Sequence, residues 1–438
     1  MFKTDSRLIK KGDTFIAIKG ILKDGHDYIE DAITKGAKKI ICEHGNGTIV
    51  KDTKKYLRDY LTRYYYPKIK HIKLIGITGT NGKTTTSYLI YQVLNQLGIK
   101  CAYIGTLGFY KNGNHYSLDN TTPNLVQLYN LLLDCRDCEY VVMEVSSQGL
   151  SYGRVDTLKF SYAIFTNLTQ DHLDYHKTME NYCLAKQKLF HMLNKDGIGI
   201  VNKDSSYYKY FKTDNMITYG MKKSDYQLID YKIDINGSKF ILNKRKYKTN
   251  LVGKHNIYNI ICVIIILKCL NIKNKKIYKS IKNINNVPGR MDKIKYNNNL
   301  IIIDYAHTPD AVDKIIKSVS KLADRVITIV GCGGNRDKEK RPLMGKIATS
   351  LSNYVIFTSD NPRFEKSEDI LNDIVNKLDT FNYKIEVDRK IAIKKGIQML
   401  EKNDILLILG KGHEDYQIIG NKKYHFSDQE EVLKVIGR

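Results

Sequence analysis

The sequence predicts an α/β protein of three domains whose central domain is a parallel sheet built around a glycine loop. Three observations carry this. From residue 72 onward, short apolar runs alternate with helical patterns. Two prolines, Pro67 and Pro288, interrupt that alternation next to Lys- and Asn-rich segments. At Thr78–Thr85 a glycine-rich loop joins an apolar strand to a helix. Strands alternating with helices argue for parallel sheets with helices on their faces.

The chain has 438 residues, which suits two to four domains at roughly 100–200 residues each. The prolines place the boundaries: an N-terminal domain over 1–67, a central one over 68–287 and a C-terminal one over 288–438. In the central domain Ile72–Ile77, Tyr140–Val145, Ala163–Thr166 and Ile198–Val201 read as buried parallel strands. Leu300–Asp304, Val326–Val330, Tyr354–Thr358 and Ile405–Leu409 read likewise in the C-terminal domain. Pro123, Pro309, Pro342 and Pro362 are expected in loops.

The longest apolar run, Ile260 to Leu267, ends at Lys268. A membrane-spanning helix needs about 20 such residues, and the N-terminus lacks a signal-peptide pattern. The chain is expected to stay in the cytoplasm, without membrane insertion and as a monomer. Of eight cysteines only Cys135 and Cys138 form a C-x-x-C pair, expected as free thiols on a helix. The net charge of +25 admits a nucleic-acid partner. Lysines run along the whole chain, however, with no arginine-rich stripe or nucleic-acid motif. No nucleic-acid partner is expected, though the field would attract anionic substrates.

The loop carries chemistry. Gly79 and Gly82 let backbone N–H groups face phosphate oxygens, with Thr80, Asn81 and Thr85 beside them. Lys83 offers a cation to the β- and γ-phosphates of ATP, and the Thr84 hydroxyl offers a magnesium ligand. A strict pattern would want glycine at position 77, where isoleucine stands. Glu144 ends a predicted strand, where a carboxylate faces the ligand crevice and can hold magnesium. His172 follows the next strand and can hold a second metal ion. Lys186 lies on a downstream helix and by itself reads as a surface residue.

Taken together these segments resemble the Mur ligase family of peptidoglycan synthesis, which serves cell-wall growth, shape and division. T-G-T-N-G-K-T-T at Thr78–Thr85, E-V-S-S at Glu144–Ser147 and T-N-L-x-x-D-H-L-D-Y-H at Thr166–His176 carry the likeness. So do Y-x-x-A-K-x-x-L-F at Tyr182–Phe190, H-N-I-Y-N at His255–Asn259, P-G-R at Pro288–Arg290 and D-Y-A-H-T-P at Asp304–Pro309. G-x-G-G-N-R-D at Gly331–Asp337, D-N-P-R at Asp360–Arg363 and G-K-G-H-E at Gly410–Glu414 complete it.

The resemblance implies a uridine-nucleotide domain, a central ATPase domain and a Rossmann-like C-terminal domain. It implies an ADP-forming acid–amino-acid ligase that uses ATP and magnesium. Among members the chain is most similar to those that add meso-diaminopimelate to UDP-N-acetylmuramoyl-L-alanyl-D-glutamate. L-Lysine as acceptor, or a folylpolyglutamate-synthetase-like activity, is the alternative. Carried over residue by residue, it implies that Ser6, Thr121, Thr122, Ser146 and Arg154 contact the UDP-sugar. It gives Lys186 as a carbamate that ligates metal with His172, and Asn259 and Arg290 as nucleotide contacts. It gives Arg336, Asp360, Asn361, Pro362, Arg363, Gly410 and Glu414 as the diaminopimelate site. The chain departs from the family at Gln148 and Tyr152.

Overall fold

Three sheets organise the chain in the computed structural model, which describes residues 2–20 and 23–437. The first is a four-stranded parallel sheet of Phe2–Lys3, Thr14–Ile16, Lys39–Cys42 and Thr48–Ile49. After it, Asp52 caps the helix Thr53–Tyr64 by accepting from Lys55 N. That helix turns Leu57 and Leu61 into the core of the central domain, where they join Ile69 and Ile72. The N-terminal domain is thereby packed to the next one by apolar side chains rather than tethered by a linker.

The central sheet has eleven strands. In its middle, Lys73–Thr78 lies between Tyr140–Glu144 and Phe160–Phe165, parallel to both. Strand order departs from chain order on both sides of this strand, so its C-terminal end opens a crevice of the kind that binds ligands. Helices Lys83–Gln96 and Lys254–Cys269 cover one face. Helices Leu125–Asp134 and Met179–His191 cover the other. The run Ile260–Leu267 is fully buried in the second of these helices, which explains its all-round apolarity. Among the described residues no helix is long and apolar enough to cross a membrane.

The C-terminal sheet is parallel except for its first strand, in the order Asp292–Tyr296, Asn299–Asp304, Ile405–Leu409, Val326–Val330, Tyr354–Phe357, Tyr383–Ile385. Helices lie on both faces, the doubly wound arrangement expected.

Two local expectations are corrected. Pro309 and Pro342 are not in loops: Pro309 opens the helix Pro309–Val319, and Pro342 sits in the first turn of Lys340–Leu351. First-turn N–H groups have no intrahelical partner, so proline costs nothing there. Cys135 and Cys138 are not on a helix either. Cys135 is the C-cap of Leu125–Asp134, and Cys138 lies in the turn beyond.

Beneath strand Ile405–Leu409, Arg389 is buried and donates to both oxygens of the equally buried Asp428, at 2.7 and 2.8 Å. Removing one partner leaves an uncompensated buried charge. Asp428→Ala is expected to cost about 3–5 kcal/mol in urea unfolding. A cost below about 1 kcal/mol would mean that water reaches the pair.

Candidate active site

The glycine loop folds as it does because its two glycines cannot be replaced. Gly79 has φ +143°, and a Cβ there would stand 1.9 Å from Thr166 Oγ1. Gly82 has φ +86° and precedes the helix Lys83–Gln96; a Cβ there would stand 2.7 Å from Asn259 Oδ1. No side chain caps this helix, so its first N–H groups are left for a ligand. Neighbouring loops fix the backbone. Thr80 N donates to Asn167 O at 2.8 Å, and Thr166 Oγ1 donates to Asn81 O at 2.7 Å. Ile77, where the strict pattern wants glycine, is a fully buried strand residue. The strand here runs on through Thr78, so the first loop glycine, Gly79, comes two residues later.

Four ionisable groups meet at this loop. Lys83 Nζ donates to Gly79 O and Thr80 O at 2.9 and 2.8 Å, and burial lowers its pKa. Glu144 is fully buried at the end of its strand. Its Oε1 accepts from Tyr103 OH at 2.6 Å and Thr106 N at 2.8 Å, and its Oε2 from Thr84 Oγ1 at 2.9 Å. Lys186 is 1% exposed, with Nζ donating to Gly79 O at 2.8 Å and lying 4.3 Å from the Tyr182 ring centre. Burial, then the charge of Lys83, pushes the Lys186 pKa well below its ordinary value. Asp171 is also buried. Burial alone would raise its pKa, but His172, Lys340, His307 and Lys83 prevail and hold it at about 2. His172 adopts φ +54°, its N–H donates to Asp171 Oδ1 at 2.9 Å, and its Nε2 lies 3.5 Å from Asp171 Oδ2.

A polar cluster stands beyond Glu144. Thr122 Oγ1 donates to Glu144 O at 3.0 Å and accepts from Ser146 N at 3.0 Å, while Arg154 Nη1 donates to Thr122 O at 2.7 Å. Thr121 Oγ1 is 3.0 Å from Thr106 Oγ1, which ties this loop to the Glu144 shell. Ser6 is buried in the turn Ser6–Leu8 of the N-terminal domain, and its neighbour Arg7 feels the charge of Asp119 in the same central loop. Tyr152 is exposed with Arg154 5.4 Å over its ring.

The C-terminal domain closes the other side. Arg290 Nη2 donates to Thr84 Oγ1 at 3.1 Å, and its guanidinium lies 4.5 Å over Tyr305. Asn81 Nδ2 donates across the domain boundary to Asp310 Oδ2 at 2.7 Å. Between these contacts lies a cavity of about 790 Å³, lined by Asn81, Gly82, Thr85, Asn259, Arg290 and Tyr305 among others. A nucleotide has room there with its phosphates on the loop. Thr86 Oγ1 donates to Asn259 Oδ1 at 3.1 Å, which holds that amide at the cavity wall.

A second polar cluster forms at the C-terminal edge of the C-terminal sheet. Asp360 and Asn361 are buried just after strand Tyr354–Phe357. Asn361 Nδ2 donates to Glu414 Oε2 at 2.9 Å. Arg363, at φ +53°, donates from Nη1 to Gly334 O at 2.9 Å. Its neighbour Glu365 is held instead by Arg341, at 2.9 and 3.0 Å. Among the described residues Arg363 therefore pairs with no carboxylate. Arg336 is exposed nearby and, after burial, depresses the Arg363 pKa. Gly410 has φ +115°, and a Cβ there would stand 2.5 Å from Asp360 Oδ2.

Three family models match consecutive stretches of the chain. They are "Mur ligase family, catalytic domain" at 1–76, "Mur ligase middle domain" at 77–267 and "Mur ligase, glutamate ligase domain" at 289–412. A Clostridium perfringens protein named UDP-N-acetylmuramoyl-L-alanyl-D-glutamate--2,6-diaminopimelate ligase is 41% identical over 99% of this chain and 94% of its own length. The chain belongs to the Mur ligase family. A solved structure carrying that same enzyme name is 31% identical with a TM-score of 0.69, over 100% of this chain and 94% of the other. A MurF ligase from Thermotoga maritima in complex with ADP has the same fold, at 19% identity and a TM-score of 0.71, over 99% and 96% of the two chains.

In this Mur ligase the residues singled out from sequence fall into three groups: the phosphate loop with Glu144, His172, Lys186, Asn259 and Arg290; the Thr121–Arg154 cluster; and the Asp360–Glu414 cluster with Arg336. Ser6 stands apart on the N-terminal domain. Sequence reasoning passed over Tyr103, Thr106 and Asp171. Asp171 lay inside a quoted motif, but nothing local distinguished it from Asp174. Tyr103 and Thr106 gave no signal, because only the sheet order brings them to Glu144.

Proposed function

We propose that this ligase joins meso-2,6-diaminopimelate to UDP-N-acetylmuramoyl-L-alanyl-D-glutamate, forming an amide and converting ATP to ADP and phosphate. The substrate's terminal carboxylate attacks the γ-phosphorus of ATP, giving an acyl phosphate and ADP. The acceptor's amine then attacks the acyl carbon and loses its proton, and phosphate leaves from the tetrahedral intermediate. Two anions must meet, so the protein's task is positioning and neutralisation.

Lys83 and the loop N–H groups receive the phosphates, and Arg290 approaches from the opposite domain. Asn259 lies on the wall that receives the nucleoside. Thr84 Oγ1 and Glu144 Oε2 are hard oxygen donors 2.9 Å apart at the loop's end, a set that suits magnesium. Magnesium held there would neutralise charge on the phosphates. Lys186 fits a second such site only once its cation is gone. As a buried amine beside Lys83 it is poised to add carbon dioxide, releasing a proton and becoming a carbamate that would ligate metal with His172. Ser6, Thr121, Thr122, Ser146 and Arg154 are assigned to the UDP-sugar.

The observation that carries the acceptor is Arg363. Diaminopimelate differs from lysine by a carboxylate on its far end, and a guanidinium fork without a protein carboxylate suits that group. Arg336, Asp360, Asn361, Pro362 and Gly410 form the rest of the pocket, with Glu414 placed for the distal ammonium. Charged hydrogen bonds contribute about 1.5–3 kcal/mol, so Arg363→Ala is expected to lose roughly 10- to 100-fold in kcat/KM for diaminopimelate. A coupled phosphate-release assay with the muramyl dipeptide nucleotide and a series of amino acids tests this. Lysine should be a poor substrate, since it leaves Arg363 desolvated and unpaired. Equal use of lysine and diaminopimelate by the wild type would remove the acceptor assignment.

A further inference from the structure

Lys411 follows Gly410 at the end of strand Ile405–Leu409, and its side chain is wholly buried. Its ammonium points inward, donating to Glu414 Oε2 at 3.1 Å and to Asn361 Oδ1 at 3.3 Å. The rings of Tyr416 and Phe426 lie 5.5 and 6.0 Å from it. Lysine is seldom buried unless it is paired, because desolvating an ammonium is costly. Here the pair it makes is with a residue of the acceptor pocket.

The geometry around Glu414 is lopsided. Oε2 accepts from both Lys411 and Asn361, whereas among the described residues Oε1 meets only the Tyr416 hydroxyl, at 3.4 Å. Asn361 is itself fixed, since its Oδ1 also accepts from Ile418 N at 2.9 Å. We propose that Lys411 is a positioning residue for the acceptor ammonium: with Asn361 it holds Glu414 ionised and turned so that Oε1 faces the pocket. This rests on the acceptor reading above.

The charges facing Glu414 show why the lysine matters. Asp360 is a like charge, and burial followed by Asp360 raises the Glu414 pKa, while Lys411 and Asn361 oppose the rise. Tyr305 and Tyr416 add neutral hydroxyls. Arg389 is within electrostatic reach but is taken by Asp428. Arg363 is also within reach, and the acceptor's distal carboxylate would claim it. Among the described residues Lys411 is the one cation in an ion pair with Glu414. Without it Glu414, held mostly away from water and within the field of the like-charged Asp360, has no cation in contact, which favours its protonated form.

The test is the KM for diaminopimelate of Lys411→Met relative to wild type, measured from pH 6.5 to 9. The ratio should be roughly 10- to 100-fold near pH 7, as expected for a lost charge-assisted contact. It should fall as pH rises, because Glu414 regains its charge once pH passes its raised pKa. The KM values for ATP and the muramyl nucleotide should stay within about twofold of wild type. Lys411→Met combined with Glu414→Gln should lose no more than Glu414→Gln alone, because the lysine acts through the glutamate. A ratio that does not change with pH, or losses that multiply in the double variant, overturns the proposal. If Lys411→Met does not fold, Lys411→Arg serves. It keeps the charge but displaces the donors, so a raised KM with a pH-independent ratio supports the role, and an unchanged KM with lowered kcat overturns it. The acceptor reading fails separately, if wild type does not use diaminopimelate. The pH dependence can then be followed with whichever amino acid the wild type accepts.

Discussion

Lys83→Ala is expected to lower ligation by about 10³-fold, as loss of a positioned charge on a transferring phosphoryl group does. The effect should fall on kcat as well as on ATP affinity, because the charge that Lys83 meets grows as the γ-phosphate is transferred. The fold should not suffer. Among the described residues Lys83 donates only to the carbonyls of Gly79 and Thr80, and burial already disfavours its charge. Removing a desolvated ammonium that has no carboxylate in contact releases that cost, so thermal unfolding should be unchanged or slightly higher. Lys83→Met, which keeps the aliphatic stem, should behave as the alanine variant does in turnover. Steady-state kinetics with a thermal melt on the same preparation decides the matter. Near-normal turnover with unchanged ATP affinity would end the assignment of this loop to ATP, and a large drop in melting temperature would make Lys83 a structural residue.

The contrast between Lys83 and Lys411 shows what a sequence can reveal. Lys83 sits between two glycines and three threonines, after an apolar strand, and every step from strand to loop to helix is local. The loop was therefore legible, and so was Glu144, because a strand's period and its end can be read along the chain. Lys411 also follows a strand and a glycine. It is buried with the rings of Tyr416 and Phe426 beside it, and its hydrogen bond to Asn361, from a distant segment, is not announced by anything near position 411. Tyr103 is a similar case. It reads as one more apolar strand residue, and its hydroxyl matters because strand Cys101–Gly105 pairs with Tyr140–Glu144. That Arg363 is not taken up by its neighbour Glu365 is visible only in the fold, where Arg341 holds that glutamate. What escaped sequence reasoning is thus the set of partners contributed by distant segments.

Lys186→Ala is the second large effect expected, at least about 10²-fold in kcat, comparable to losing one preorganised charged group. Sequence alone made Lys186 a surface lysine on a helix, and its burial overturns that reading. A buried ammonium would need a carboxylate, and the contact Lys186 makes is with the Gly79 carbonyl. Burial and the nearby charge of Lys83 favour the neutral amine. A neutral amine is the form that adds carbon dioxide. The carbamate then turns a repulsion with Lys83 into an attraction and supplies oxygen donors beside His172. Two results should follow. Activity of Lys186→Ala should recover in part with formate or acetate, which can occupy the vacated position, whereas Lys83→Ala should show no such rescue. Wild-type protein grown or incubated with ¹³C-bicarbonate should show a carbamate carbon by NMR that is absent from the variant. It should fade as pH falls, because protonation of the amine and loss of carbon dioxide both run against it. A fully active alanine variant would show that Lys186 serves packing alone. An inactive variant without rescue, from protein that carries no carbamate signal, would assign Lys186 to holding the Gly79 carbonyl in place.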